Sequence, residues 1–358
     1  MQYKVLFKRC LLAIVVMFVV TSLQAQREMK TINDNWEFRK SIDESWESVN
    51  LPHTFNIDAY QQRNYYQGKG FYRRTLVLPE IVAERRYYMK IDAASKAANI
   101  RVNGKEVGSH VGGYTACIVD ITEYIRKENL IEITVDNGRK DITPISADFT
   151  FWGGIYRDVW LISTPKQHFN MSNMGSDGIF ISTPVVNEKR GVLKVKCEVT
   201  NDSHESSILE VRSAIYSPQG KLLQTIKQKQ KLKSGETYIF ENTSGAIESP
   251  DLWSPETPSL YLVKTTLVDP KSGKLLDEKN HKVGFRWFTF DGSKGFFLNG
   301  KSYKLRGLNR HQDQAPAGVA LDDEAHRRDI FLMKELGCNF IRISHFPQDD
   351  AILEMCDE

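Results

Sequence analysis

Leu305-Arg306-Gly307-Leu308-Asn309-Arg310-His311, then a charged segment, then Asn339-Phe340-Ile341-Arg342-Ile343-Ser344-His345: the reading of this stretch decides the fold. The segment between, residues 321–336, opens on Asp322, Asp323 and Glu324 and is closed by Gly337. Carboxylates suit the positive end of a helix and glycine suits its last cap, so the spacing predicts a helix flanked by two strands. A second helix start follows at residues 348–358. Strand, helix, strand, helix with short links is the pattern of a parallel sheet or barrel. A complete (β/α)8 barrel takes roughly 250 residues and only about 70 follow Phe285, so the expectation is an incomplete TIM barrel, its first two βα units, at residues 285–358.

Upstream the pattern changes. Between Trp36 and Thr164 short apolar-alternating runs recur, among them residues 74–78, 87–91, 131–135 and 158–162, and Asn103-Gly104 between Val102 and Val107 is a strong hairpin signal. Regularly spaced short strands predict a jelly-roll β-sandwich over residues 26–165. A second all-β stretch, residues 166–284, has its clearest strands at 191–199, 208–216 and 260–268 and suits an immunoglobulin-like sandwich. Lys227, Lys229, Lys231 and Lys233 share one parity there, which reads as a solvated edge strand that resists aggregation rather than as a polyanion contact. The fold class is therefore mainly β.

The 358 residues carry 48 Lys and Arg against 45 Asp and Glu. Residues 1–25 read as a secretory signal peptide: Lys4, Lys8 and Arg9, an apolar run over 11–20, and a cleavage point after Ala25. Without that leader the charges balance, which removes the electrostatic argument for nucleic acid or an anionic membrane as partner. The expected location is periplasmic or extracellular. Cys117, Cys197, Cys338 and Cys356 are far apart with no ligand spacing, so they predict neither a disulfide framework nor a metal site, only small buried hydrophobes.

Three stretches carry chemistry. Residues 146–158 set Asp148 beside Phe149, Phe151, Trp152 and Gly153-Gly154, a carboxylate for sugar hydroxyls next to rings for an apolar sugar face; a capped turn with packed aromatics is the plainer alternative. Residues 305–313 and 341–347 each place Arg and His where a βα strand ends, the catalytic side of barrels. Either they line a polar pocket or each His only satisfies its own loop.

Arg306-Gly307-Leu308-Asn309-Arg310-His311 and Arg342-Ile343-Ser344-His345-Phe346-Pro347, joined by the helix of Asp329 to Lys334, resemble the first barrel units of glycoside hydrolase family 2. Residues 152–158 look like that family's jelly-roll signature, and the domain order matches over nearly the whole mature chain. The resemblance implies a secreted, retaining, exo-acting β-glycosidase. In it His311 and His345 line the subsite for the non-reducing-end sugar, Arg342 supports them and Asp148 bonds a hydroxyl. Both catalytic Glu residues of the family lie on later barrel strands, so no residue here is assigned as acid/base or nucleophile, and the chain alone is expected to be inactive. Asp313, Asp349 and Asp350 read instead as caps or solvated charges.

The Asn-Arg-His form of residues 309–311 looks more like β-galactosidases, making a terminal β-galactoside the implied partner. Gln348-Asp349-Asp350 departs from the Asn-His pair of typical β-galactosidases, which keeps β-glucuronidase and β-mannosidase as alternatives. No cofactor is implied; some relatives bind a cation, for which no ligand cluster is complete here. A homo-oligomer stays open. From a different class, a non-catalytic carbohydrate-binding sandwich protein stays open as well.

Overall fold

The computed structural model describes residues 26–358; the predicted leader lies outside the described residues. The chain is mainly β. The first sandwich packs a four-stranded antiparallel sheet, in the order Glu28–Thr31, Val159–Pro165, Arg85–Ile91, Cys117–Asp120, on a six-stranded one. The six run Glu47–Val49, Trp36–Arg39, Lys69–Val77, Glu128–Asp136, Ala97–Val102, Lys105–Val111. Strand Glu128–Asp136 shows why: Asn129, Ile131, Ile133 and Val135 alternate inward while their neighbours face out. Ile131, Ile133 and Val135 join Trp36, Phe38, Tyr72, Met89 and Ile100 in one core, each large apolar side chain contributing about 1.5–3 kcal/mol by leaving water. Asn103 and Gly104 take φ of 51° and 76°, the left-handed pair that a two-residue hairpin of matching twist requires.

The second sandwich faces Gln167–Phe169, Arg190–Asn201, Ile179–Val186 and Glu236–Thr243 against the sheet Leu222–Leu232, Ser207–Tyr216, Tyr261–Val268, Leu275–Val283. Phe169, Leu193, Val195, Phe240 and Phe285 fill its core. Leu222–Leu232 is an edge strand whose Lys227, Lys229 and Lys231 are exposed. A buried ion pair ties the two sandwiches: Arg27 Nη2 donates to Asp277 Oδ2 at 2.7 Å and to the Phe169 carbonyl at 2.8 Å, and the Phe169 N–H donates to the same Asp277 oxygen at 2.9 Å.

After Phe285 a hairpin of Phe288–Asp291 with Gly295–Leu298 leads into β1 (Gly307–Arg310), α1 (Asp323–Glu335), β2 (Phe340–Ile343) and α2 (Asp350–Asp357). β1 and β2 pair in parallel, with Arg310 opposite Ile343. Asp322 caps α1 by accepting from the Ala325 N–H at 2.8 Å, Asp349 caps α2 by accepting from Ala351, and Gly337 at φ 82° ends the first helix. The run at residues 339–344 has the apolar pattern of a buried strand, but two βα units do not close a barrel, and Phe340 is 46% exposed and Leu308 45%. β1 and β2 have only each other as strand partners among the described residues, so their far faces meet water. Cys356 is likewise exposed on α2, whereas Cys197 is buried as expected and its thiol is pushed up to about 12 by burial.

Candidate active site

Parallel register brings both strand ends to one edge. His311 follows β1 and His345 follows Ser344 at the end of β2, and their rings meet edge to face, 5.2 Å between centroids at 79°. Arg342 braces the second imidazole: Nη2 lies 3.2 Å from His345 Nδ1 and Nη1 donates to Ser344 Oγ at 2.9 Å. A guanidinium only donates, so Nδ1 accepts and the His345 proton sits on Nε2. In that tautomer the Nε2–H can donate to a hydroxyl oxygen.

The first sandwich supplies the neighbouring wall. Phe149 stacks on His345 at 5.9 Å and packs against Phe346 and Phe151, while Tyr114 stacks on Phe346 at 4.1 Å. Asp148, next to Phe149, is exposed. Further along the chain Gly154 takes φ 140°, and a Cβ there would lie 2.1 Å from the His53 carbonyl oxygen, so that position requires glycine. His311, His345, Arg342 and the Asp148-Phe149 segment therefore gather from two domains at one place.

Arg310 does not face the histidine pair. It is buried beneath it, donating to Asp329 Oδ2 from Nε and Nη2 at 3.0 and 2.8 Å and to Gln348 Oε1 at 2.7 Å, with Nη2 3.0 Å from His326 Nδ1. Burial, then the Arg310 charge, pulls the His326 pKa down to about 4. Gln348 returns a bond from Nε2 to the Arg310 carbonyl at 2.7 Å. Arg310 and the departure at Gln348 thus belong to a buried polar network under the strands, whereas Asn309 is exposed and His311 stands with His345.

Asp349 and Asp350 turn toward the first sandwich, where they help line a cleft of about 310 Å³ with Asp92, Tyr114, Arg157 and Met174. Burial, then the charge of Asp349, pushes the Asp323 carboxyl above its usual range. Sequence reasoning missed Arg157 and Gln312, both buried between the domains and bonded to each other across 155 positions. No spacing signal links residues so far apart.

Comparison with known proteins gives this arrangement a context. Residues 13–165 match the sugar binding domain of glycosyl hydrolases family 2, residues 177–286 match that family's further domain, and residues 291–358 its TIM barrel domain. A solved calcium binding mutant of Bacteroides uniformis beta-glucuronidase 2 is 55% identical, with a TM-score of 0.87, over 93% of this chain and 42% of its own. A putative beta-glucuronidase of Formosa agariphila is 35% identical over 93% of this chain and 40% of its own length. A beta-galactosidase of Thermoanaerobacter pseudethanolicus is 32% identical over 91% and 43%. The chain thus spans less than half the length of these relatives, and their names lean toward glucuronidase over the galactosidase reading of residues 309–311. With both sandwiches and the opening of the barrel each matched in order, the chain belongs to glycosyl hydrolases family 2.

Proposed function

We propose that the complete protein is an exported, retaining exo-β-glycosidase and that its substrate is a terminal β-glucuronide. The observation that carries the reading is the convergence of two strand-end histidines with the Asp148-Phe149 segment of another domain. His345 Nε2–H donates to a sugar hydroxyl, held in that tautomer by Arg342; His311 borders the same space; Asp148 accepts from a hydroxyl; Phe149 offers an apolar ring. Retention needs two carboxyl groups about 5–5.5 Å apart. No glutamate lies in residues 305–313 or 341–347, so neither strand-end segment is assigned the acid/base or the nucleophile. The preference for glucuronides over galactosides rests on the names of the relatives.

The test compares 4-nitrophenyl β-glucuronide with the β-galactoside on the complete protein. The expected kcat/KM is at least about tenfold higher for the glucuronide, a difference of roughly 1.4 kcal/mol in transition-state binding. A reversed order overturns the sugar assignment. Appreciable turnover by residues 26–358 alone overturns the placement of the cleaving groups elsewhere.

The calcium-binding relative extends the proposal. The two aspartates exchanged in that mutant are as far apart in its sequence as Asp323 and Asp349 are here. These two start adjacent helices and lie close enough to repel. A cation would relieve that repulsion, and calcium completes its six to eight oxygens with carbonyls and water where carboxylates are few. Among the described residues no three His, Cys, Asp or Glu side chains gather as a metal cluster, so no catalytic step is routed through the ion. Calcium at about a hundred times its Kd is expected to stabilise the complete protein by roughly 2.7 kcal/mol over chelator, and Asp323→Ala and Asp349→Ala to abolish the gain in a thermal melt. An unshifted wild-type melt defeats the assignment.

A further inference from the structure

Residues 152–158 resemble a family signature, yet it is Phe149, just before them, that stacks on His345. Trp152 and Tyr156 pack with Val319 of the first barrel unit, and the polar contact to the barrel units is made by Arg157, set between the short strand Gly154–Ile155 and the strand Val159–Pro165 and only 7% exposed. Its Nη2 donates to the Pro347 carbonyl at 2.7 Å and to Gln312 Oε1 at 3.3 Å. Its Nη1 donates to the Tyr114 carbonyl at 3.4 Å, and its Nε lies 3.6 Å from Asp349 Oδ2. Pro347 is two residues past His345, and Gln312 is the residue after His311. Gln312 is 1% exposed, and its Oε1 also accepts from the Asp349 N–H at 3.1 Å, so it links the two strand-end loops to each other. The ring of Tyr114 braces Phe346, the residue between His345 and Pro347.

We propose that Arg157 is a positioning residue of the sugar pocket: one guanidinium, supplied by the first sandwich, holds the Pro347 carbonyl and the Gln312 side chain, just past the two histidines, and so fixes the 5.2 Å edge-to-face pair. The proposal rests on the reading that these histidines bind the sugar. The chemistry favours arginine specifically. Three acceptors in three directions are met by a rigid planar fork of five donors, whereas a lysine ammonium is a compact point charge on a flexible stem and cannot reproduce that geometry. Buried carbonyls left without donors then draw the two loops apart or admit water. The same contacts explain why the Trp152 to Asp158 stretch accompanies the barrel units in one chain: its job is to join domains rather than to touch substrate.

The experiment uses the complete protein in calcium-containing buffer, with Arg157→Lys as the variant and Arg27→Met, at the distant sandwich–sandwich ion pair, as a stability control. Two readouts are taken: KM and kcat on the β-glucuronide, and the imidazole signals of ¹³C-labelled histidine assigned by His311→Gln and His345→Gln. Arg157→Lys is expected to lower kcat/KM on the order of 10- to 100-fold, mostly through KM, with the pH profile keeping its shape, and to move both histidine signals. Arg27→Met is expected to lower Tm while leaving KM and both signals in place below its melting range. If Arg157→Lys lowers Tm but leaves KM and the histidine signals unchanged, its role is structural only and the proposal is overturned. A KM change with unmoved histidine signals overturns it too. A wild-type protein without glycosidase activity removes the functional reading alone, and the histidine signals still decide whether Arg157 positions the pair.

Discussion

Alanine at position 345 is expected to lower kcat/KM of the complete enzyme on the order of 100- to 1,000-fold, about 2.7–4 kcal/mol of transition-state stabilisation. His345 offers one N–H in a fixed direction because Arg342 occupies its other nitrogen. A sugar hydroxyl that loses this donor inside a partly walled pocket is left unpaired, which costs more than a missing contact in water. The ring also carries the stack with Phe149, so its removal frees the segment that bears Asp148. Steady-state kinetics on the β-glucuronide decide the matter. His345→Gln keeps an amide donor and is expected to lose less. A His345→Ala loss below about threefold would remove the histidine pair from the binding site.

Removing the carboxylate of Asp277 is expected to have the largest effect on stability. Its side chain is fully buried, and Arg27 opposite it is 3% exposed. Asp277→Ala leaves a guanidinium in the seam between the sandwiches with no counter-charge, and it also strips an acceptor from the Phe169 and Glu278 N–H groups. Breaking a buried pair from one side costs about 3–5 kcal/mol, because the remaining charge has lost both water and partner. In a thermal melt this corresponds to roughly 6 to 20 °C for a domain of 150–250 residues. Arg27→Met combined with Asp277→Leu is expected to recover much of the loss, since neither charge is then stranded. A single-variant Tm within about 2 °C of wild type would mean that water reaches Arg27 and the seam is not sealed.

The strands and helices were legible because their causes are local. Ile131, Ile133 and Val135 announce a strand within five residues, Asn103-Gly104 a turn within two, and Asp322 with Gly337 bracket one helix. The parity of Lys227, Lys229 and Lys231 placed them correctly on an exposed edge. That His311, His345 and Arg342 lie together was legible because each stands at or near a strand end, and parallel strands bring like ends together. Where local reading failed, a neighbour from elsewhere decided. Arg310 sits inside a motif that reads as a pocket, yet Asp329, His326 and Gln348 draw its side chain under the strands instead.

The sequence by itself determined the order and kind of the elements, the Asn103-Gly104 hairpin turn, the helix caps and the candidate histidines, all of which follow from periodicity and from residues a few positions apart. The tertiary structure alone decided that Phe149 lies on His345, that Arg157 ties Pro347 and Gln312 together across 190 and 155 positions, and that Arg27 finds Asp277 across 250. The physical reason is that a buried polar group accepts whichever complementary partner the folded chain brings within about 3 Å, and no local pattern records that distance.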